Sequence, residues 1–453
     1  MKKTIGVLIM FALLLSCSNN AKQHEFSLDE LQKRTFRYFW ETADPVTNLI
    51  PDRWPTTSFS SIAAQGFGYA AWIIGIENGW VTREEVALRV KNSLKFLYKL
   101  PQESQTANIA GYKGFFYHFL DMKTGYRFKQ VELSSIDTGL LMAGILTCMS
   151  YFDQDNPTEI EIRKLADSLY RRVEWDWMFD STKYALSMGW HPEKGFIPSW
   201  WLGYNEAMIL LIMAMASPTH PIPEDAWQKW CATYTWEEFQ GYEHVNFGPL
   251  FGHQYSHMFI DFRGIQDSFM LSKRIDYFEN SRRATLANRA YCISNPLGFP
   301  HYNDSIWGLT ACDGPKDTVM LNGDKTIKIY SYSARGAASN YWVDDGTIAP
   351  TAAGGSIPFA PEVCIPALRA IFNTYEDYIY GIYGFKDAFN PFYKDKYHEN
   401  GWFDMDYLGI DQGPIIIMIE NYSNELIWTI LKKNPYIREG LIKAGFKGGW
   451  LTN

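Results

Sequence analysis

The sequence predicts an all-α protein, an (α/α)6 barrel in which an outer ring of helices encloses an inner one, with long loops and a few short loop hairpins. Two observations carry this. Segments with a single apolar face alternate along the chain with segments apolar nearly all round, and strand signals are sparse and local. A one-sided helix lies on a surface, whereas a helix apolar on every side must be enclosed by others. A content of 47% hydrophobic and 16% aromatic residues over 453 positions supplies a large core and excludes a disordered or fibrous chain.

Residues 1–17 read as a lipoprotein signal peptide. Lys2 and Lys3 form a basic start, the apolar run 5–15 is too short to span a bilayer, and it ends in Leu14-Leu15-Ser16-Cys17, similar to a bacterial lipobox. Cys17 is then the lipidated first residue of the mature chain, and 18–26 is a polar tether to one domain over 27–453. The expectation is an exported monomer, lipid-anchored to the outer membrane. The periplasmic side is favoured because no acidic run follows Cys17. Membrane contact is expected only through that anchor.

Within the domain, residues 82–100 open with Thr82 and Glu85 as a capping box and place Val86, Val90, Leu94 and Leu97 on one face. Residues 158–172, 223–239 and 272–294 read the same way and belong outside. Residues 61–76, 135–152, 205–216 and the first half of 414–431 are apolar nearly all round and belong inside. Alternating pairs of this kind suit six inner and six outer helices. Residues 114–126 and 325–332 read as loop hairpins. The stretch 334–361 is rich in Gly, Ala, Ser and Pro but also carries Tyr341, Trp342, Asp344 and Asp345, which marks a structured loop.

The net charge of −8, with no concentration of Lys or Arg, argues against nucleic acid as a partner. Cys148, Cys231, Cys292, Cys312 and Cys364 are scattered singly with no C-x-x-C pair, so neither a zinc site nor a redox motif is written; they read as buried hydrophobes. The aromatic surplus supplies platforms for sugar rings.

In such a barrel the inner helices all start at one rim. Three enclosed segments carry an acid at or near the start: Asp137, Glu206 and Asp411. A single acid there commonly satisfies backbone amides or the positive helix end. Three together, beside the aromatic run Trp200-Trp201-Leu202-Gly203-Tyr204, have the equipment of a glycoside hydrolase: an acid to protonate the departing oxygen, a carboxylate to activate water or attack, and rings to hold sugar.

The motifs S-I-A-A-Q-G-F-G at 61–68, S-I-D-T-G-L-L at 135–141, G-Y-N-E at 203–206, L-F-G-H-Q-Y-S-H at 250–257, I-D-F-R-G at 260–264 and G-I-D-Q-G-P at 409–414 resemble the bacterial glucoamylase-like domain. They are also similar to the endo-β-1,2-glucanases of glycoside hydrolase family 144. The resemblance runs over about 31–430. It implies an (α/α)6 barrel that hydrolyses β-1,2-glucan to sophorooligosaccharides, with inversion and without a cofactor or metal. It makes Glu206 the general acid and Asp137 a pocket acid; the base stays open among Asp137, Asp411, Asp404 and Asp406. Glu132 is a further pocket candidate.

His253, His257 and Asp261 fall at i, i+4 and i+8, one face of a helix, and with Arg263 read as sugar-binding groups more than metal ligands, because no general-base Glu stands between the histidines. Trp307, Asp313 and Trp342 are loop residues that could line the cleft, with loop packing the equal alternative. Two other classes stay open. One is a glycan-binding lipoprotein without chemistry, and the other is a polysaccharide lyase, which would want a cluster of cations. An exo-acting hydrolase, or one for another linkage, would have the same fold.

Overall fold

The computed structural model describes residues 25–452; the leader and Cys17 lie outside the described residues. Helices dominate, and enclosed and one-sided helices alternate. On the outside, Leu28–Glu41, Arg83–Lys99, Pro157–Arg171, Tyr277–Ser294 and Pro361–Ile379 each keep an exposed polar face. Thr82 and Glu85 make both bonds of the predicted capping box, and Asn156 and Asp276 cap the third and fourth of these helices through their side chains.

Enclosed helices are buried on nearly every side: Ile62–Glu77, Ser135–Tyr151, Met208–Ala216, Tyr255–Phe259, Pro350–Gly354 and Gly409–Asn424. The last of these shows why such a helix has no polar face. Ile416, Ile417 and Met418 belong to one apolar core with Phe67 and Phe259, while Ile415 and Ile419 belong to a second core with Trp307 and Ile348. A helix wedged between two cores must be apolar all round.

Ile62–Glu77 and Ser135–Tyr151 cross with backbone in contact. A Cβ on Gly66 would lie 2.2 Å from the Leu140 carbonyl oxygen, and one on Gly144 would lie 2.1 Å from that of Gly66.

Short antiparallel pairs lace the rim where inner helices begin. Ser60–Ser61, just before Ile62, pairs with Phe119–Leu120; Leu133–Ser134, just before Ser135, pairs with Gly189–His191; Tyr407–Leu408, just before Gly409, pairs with Arg53–Trp54. The loop segments 114–126 and 325–332 contain strands as expected, the second pairing with Thr318–Asn322. All five described cysteines are buried and unbridged. Among the described residues no helix is long and apolar enough to cross a membrane.

Several boundaries differ from expectation. The helix expected over 223–239 shrinks to Ala226–Cys231, and Trp236–Phe239 is instead a strand paired with Tyr242–Val245. The run Tyr234-Thr235-Trp236 favours a strand, and Gln240 and Gly241, both at positive φ, form the two-residue turn that closes it. The segment 272–294 is divided by Arg274 in the left-handed region, so its helix starts at Tyr277. The helix expected from 414 starts at Gly409 and stops before Glu425, at φ 62°, rather than running to 431.

Gly66→Ala or Gly144→Ala is expected to force the two crossing helices apart and lower stability by about 1–3 kcal/mol. Chemical denaturation of each variant against the parent checks this.

Candidate active site

The rim geometry brings the predicted acids together. Asp137 is the third residue of its helix, Asp411 the third of its own, and Glu206 lies two residues before Met208, with Asn205 Oδ1 accepting from the Ala207 amide at 3.0 Å. The fully enclosed Tyr255 hydroxyl feels all three: burial and then the charges of Asp411, Glu206 and Asp137 raise its pKa.

Helix capping explains only part of this. Ser134 accepts from the Asp137 amide and its hydroxyl donates to Asp137 Oδ2, which is ordinary N-terminal capping. The other oxygen, Oδ1, faces His118 Nε2 at 3.5 Å, and His118 Nδ1 lies 2.7 Å from Glu132 Oε1. Burial opposes a charge on His118, but Asp137 and Glu132 outweigh it and hold the imidazole protonated up to about 9. Asp411 caps nothing: its helix has no side-chain cap, and its carboxyl meets that of Asp387 instead.

Glu206 is partly exposed yet walled by protein, and burial, reinforced by Asp137, raises its pKa to about 7. Burial raises the Asp137 carboxyl above its ordinary value too, but the His118 cation beside it pulls the other way, whereas Glu206 has no cation, so the two carboxyls sit in unlike settings. That separation is how a site assigns an acid and an anion at neutral pH.

A recess of about 240 Å³ opens here, lined by Asp52, Arg53, Phe59, His118, Phe119 and Tyr332 among others. Arg53 Nη1 lies 2.5 Å from Asp313 Oδ2 and 3.8 Å from Asp406 Oδ2, and its Nε lies 3.2 Å from Asp52. Asp313 therefore stands at the cleft as a loop residue. Asp404 and Asp406 are buried beside it; Asp406 accepts from the Thr56 amide at 2.9 Å. Burial and neighbouring aspartates push Asp387, Asp404 and Asp411 up together.

The aromatic run divides. Trp200 gives its Nε1 to Asp180 Oδ2 at 3.0 Å and, with Trp177 and Phe196, lines a separate recess of about 280 Å³. Trp201 is buried and anchors the start of the Asp137 helix through Ser135 Oγ at 2.9 Å. Tyr204 is buried against His253, with ring centroids 4.8 Å apart.

Four expected sugar contacts are placed elsewhere. His253 and His257 are fully buried, His253 Nε2 donating to Phe247 O at 3.2 Å and His257 Nε2 pairing with Ser281 Oγ at 3.1 Å, and burial lowers both pKa values. The helix that would have put Asp261 on their face ends at Phe259. Asp261 instead binds Arg263 and Lys432, at 2.7 and 2.6 Å, and Arg263 Nη1 meets Glu425 at 2.8 Å. Glu425 follows the C-terminal end of the helix that starts beside Asp411, so at 1.5 Å per residue this network lies about 20 Å away at the opposite rim. Trp307 is fully buried in the second apolar core and lines no cleft. Trp342 is exposed on a hairpin, its Nε1 donating to Tyr291.

Residues that the sequence reading passed over are His118, Asp52, Arg53, Tyr332, Tyr255 and Asp387. His118 sits in a segment read as a loop hairpin, and only the pairing of Phe119–Leu120 with Ser60–Ser61 turns that segment toward Asp137.

With this geometry in hand, the relationships are clear. Residues 198–435 match the family described as "Glycoamylase: Putative glucoamylase", and the chain belongs to that family. It is 37% identical to a solved "putative glucoamylase" from Bacteroides uniformis, covering 95% of this chain and 100% of that one, with a TM-score of 0.79. It is 30% identical to an endo-β-1,2-glucanase from Chitinophaga pinensis solved with sophorotriose and glucose, covering 94% and 100%, with a TM-score of 0.78. An exo β-1,2-glucooligosaccharide sophorohydrolase (non-reducing end) from Parabacteroides distasonis is 31% identical over 450 residues, 92% of this chain; the chain spans 57% of that relative's length.

The His118 ring is expected to titrate near pH 9 in the parent, and at lower pH in Glu132→Gln, where one stabilising anion is gone. Histidine NMR, with His118→Gln to assign the signal, reads the midpoint directly.

Proposed function

We propose that this protein is a glycoside hydrolase of β-1,2-glucan, built as a toroid of six inner and six outer helices whose inner starts carry the catalytic acids. The single observation behind the chemistry is the coupled pair at the rim: Glu206, reachable and neutral up to about pH 7, beside Asp137, whose anion is favoured by a protonated His118. Glu206 protonates the departing glycosidic oxygen. Asp137 activates the water that attacks the anomeric carbon, with inversion, and takes its proton. Asp411, buried against Asp387, adds negative charge beside the cleft. Arg53 lines the recess with Asp313 paired to it, and the Trp200 platform offers a stacking surface at the separate recess.

Linkage rests on the relatives, two of which are named for β-1,2-glucan. Action at internal bonds is favoured because the chain spans the whole of the endo-acting relative and only 57% of the exo-acting one. The kinship with the sophorohydrolase keeps exo action as a second reading. The charge of the recess disfavours a lyase, since one arginine and one histidine stand among many acids. In the cell we place the protein as a lipid-anchored monomer on the periplasmic face of the outer membrane, on the strength of the leader's Leu14-Leu15-Ser16-Cys17.

On β-1,2-glucan the parent is expected to release a ladder of sophorooligosaccharides; release of sophorose alone points to exo action, and no reducing ends at all points to a binding protein. Glu206→Gln is expected to lose about 10²–10⁴-fold in kcat. Parent activity should fall as pH rises through about 7, because only protonated Glu206 can act as the acid. A basic limb left in place in an active Glu206→Gln protein would assign the acid elsewhere.

A further inference from the structure

Behind Asp411, three aspartates from separate loops converge. Asp313, Asp387 and Asp404 each bring one carboxylate oxygen within 4.8 Å of the other two. Asp387 and Asp404 are 1% and 7% exposed; Asp404 Oδ2 has no hydrogen-bond partner among the described residues, and the Asp387 carboxyl, besides a backbone amide, meets another acid, Asp411. Asp387 Oδ2 accepts from the Asp313 amide at 2.7 Å, and Asp404 Oδ1 from the Asp406 amide at 3.1 Å. Asp404 Oδ2 is thus a buried, unpartnered oxygen left for the cluster.

Nearby cations do not neutralise it. Arg53 is shared among Asp313, Asp52 and Asp406. Lys386, which feels the charge of Asp404, gives its Nζ to the Tyr378 carbonyl at 2.7 Å. Two buried carboxylates thus face each other with no side-chain cation in contact, an arrangement that costs free energy unless a proton or a metal ion sits between them.

The frame is rigid. Phe389–Asn390 pairs with Trp402–Phe403, and the amides of Asp387 and Asp404 donate across that pair to Asp406 O and Ala388 O, both at 2.9 Å. Asp313 follows the strand Ala311–Cys312, itself paired with Ser333–Ala334. Ligands held this way need little ordering when an ion binds. All three donors are oxygen and none is nitrogen or sulfur, which selects a hard cation; calcium accepts irregular carboxylate sets completed by water, whereas magnesium demands a near-ideal octahedron.

We propose that Asp313, Asp387 and Asp404 form a calcium-class divalent cation site that ties three rim loops together behind the sugar cleft, with water completing the shell. It requires no sugar and stands independently of the hydrolase reading. The test uses full-length protein stripped with chelator, titrated with CaCl2 in a calorimeter and followed by thermal melting. One calcium per chain is expected, with a melting temperature that climbs by several degrees as calcium passes well above Kd. Asp387→Asn and Asp404→Asn should each weaken binding by at least about tenfold, while the exposed Asp317→Asn should not. No calcium uptake by stripped parent protein at millimolar concentration overturns the proposal, whether or not the variants fold. So does equal binding by all three variants, or tighter binding of MgCl2 than of CaCl2. Because no substrate is present, failure of the hydrolase assay would leave this result standing.

Discussion

The structure depends on one constraint: the starts of the enclosed helices must be tied where their acids are held. The ties are pairs of residues rather than sheets. Ser60–Ser61, Leu133–Ser134 and Tyr407–Leu408 each make a short antiparallel contact immediately before an enclosed helix. Those contacts satisfy the backbone of buried loop ends, which could not otherwise be removed from water. They also deliver Asp137 and Asp411 to one place although 274 positions separate them in the chain.

Gathering acids at such a rim has an electrostatic consequence. Burial alone pushes every carboxyl there toward its neutral form, so the site differentiates its acids through their few cationic neighbours. His118 stands beside Asp137, and Arg53 beside Asp52 and Asp313; Glu206 has neither. Burial raises both carboxyls, but only Asp137 has a cation to oppose the rise, and that difference is what separates an acid from an anion. The fold's contribution to chemistry is this asymmetry more than the presence of the acids.

Much of the fold is legible along the chain because an enclosed helix cannot hide its composition. Gly409–Asn424 lies between two apolar cores and is apolar on both flanks, and Arg83–Lys99 announces its start by its capping box. Boundaries failed where a single residue's φ decided them: Arg274 and Glu425 stop helices by adopting the left-handed region, and Gln240 turns a hairpin the same way, each at modest cost and without a compositional sign.

The site was half legible, for a physical reason. Helix-start acids are visible in sequence because position on a helix is local information, so Asp137, Glu206 and Asp411 could be named from the chain alone. The same periodicity placed His253, His257 and Asp261 on one helical face, and there it misled, since the helix ends at Phe259 and the histidines point into the core. What tertiary structure alone decided was which loop residues come to the rim: His118, Arg53 and Asp387 arrive through pairings with partners far along the chain, and no local pattern records a contact of that range. Composition and periodicity determine what each segment must bury, but the protonation of the acids belongs to neighbours that only the closed fold supplies.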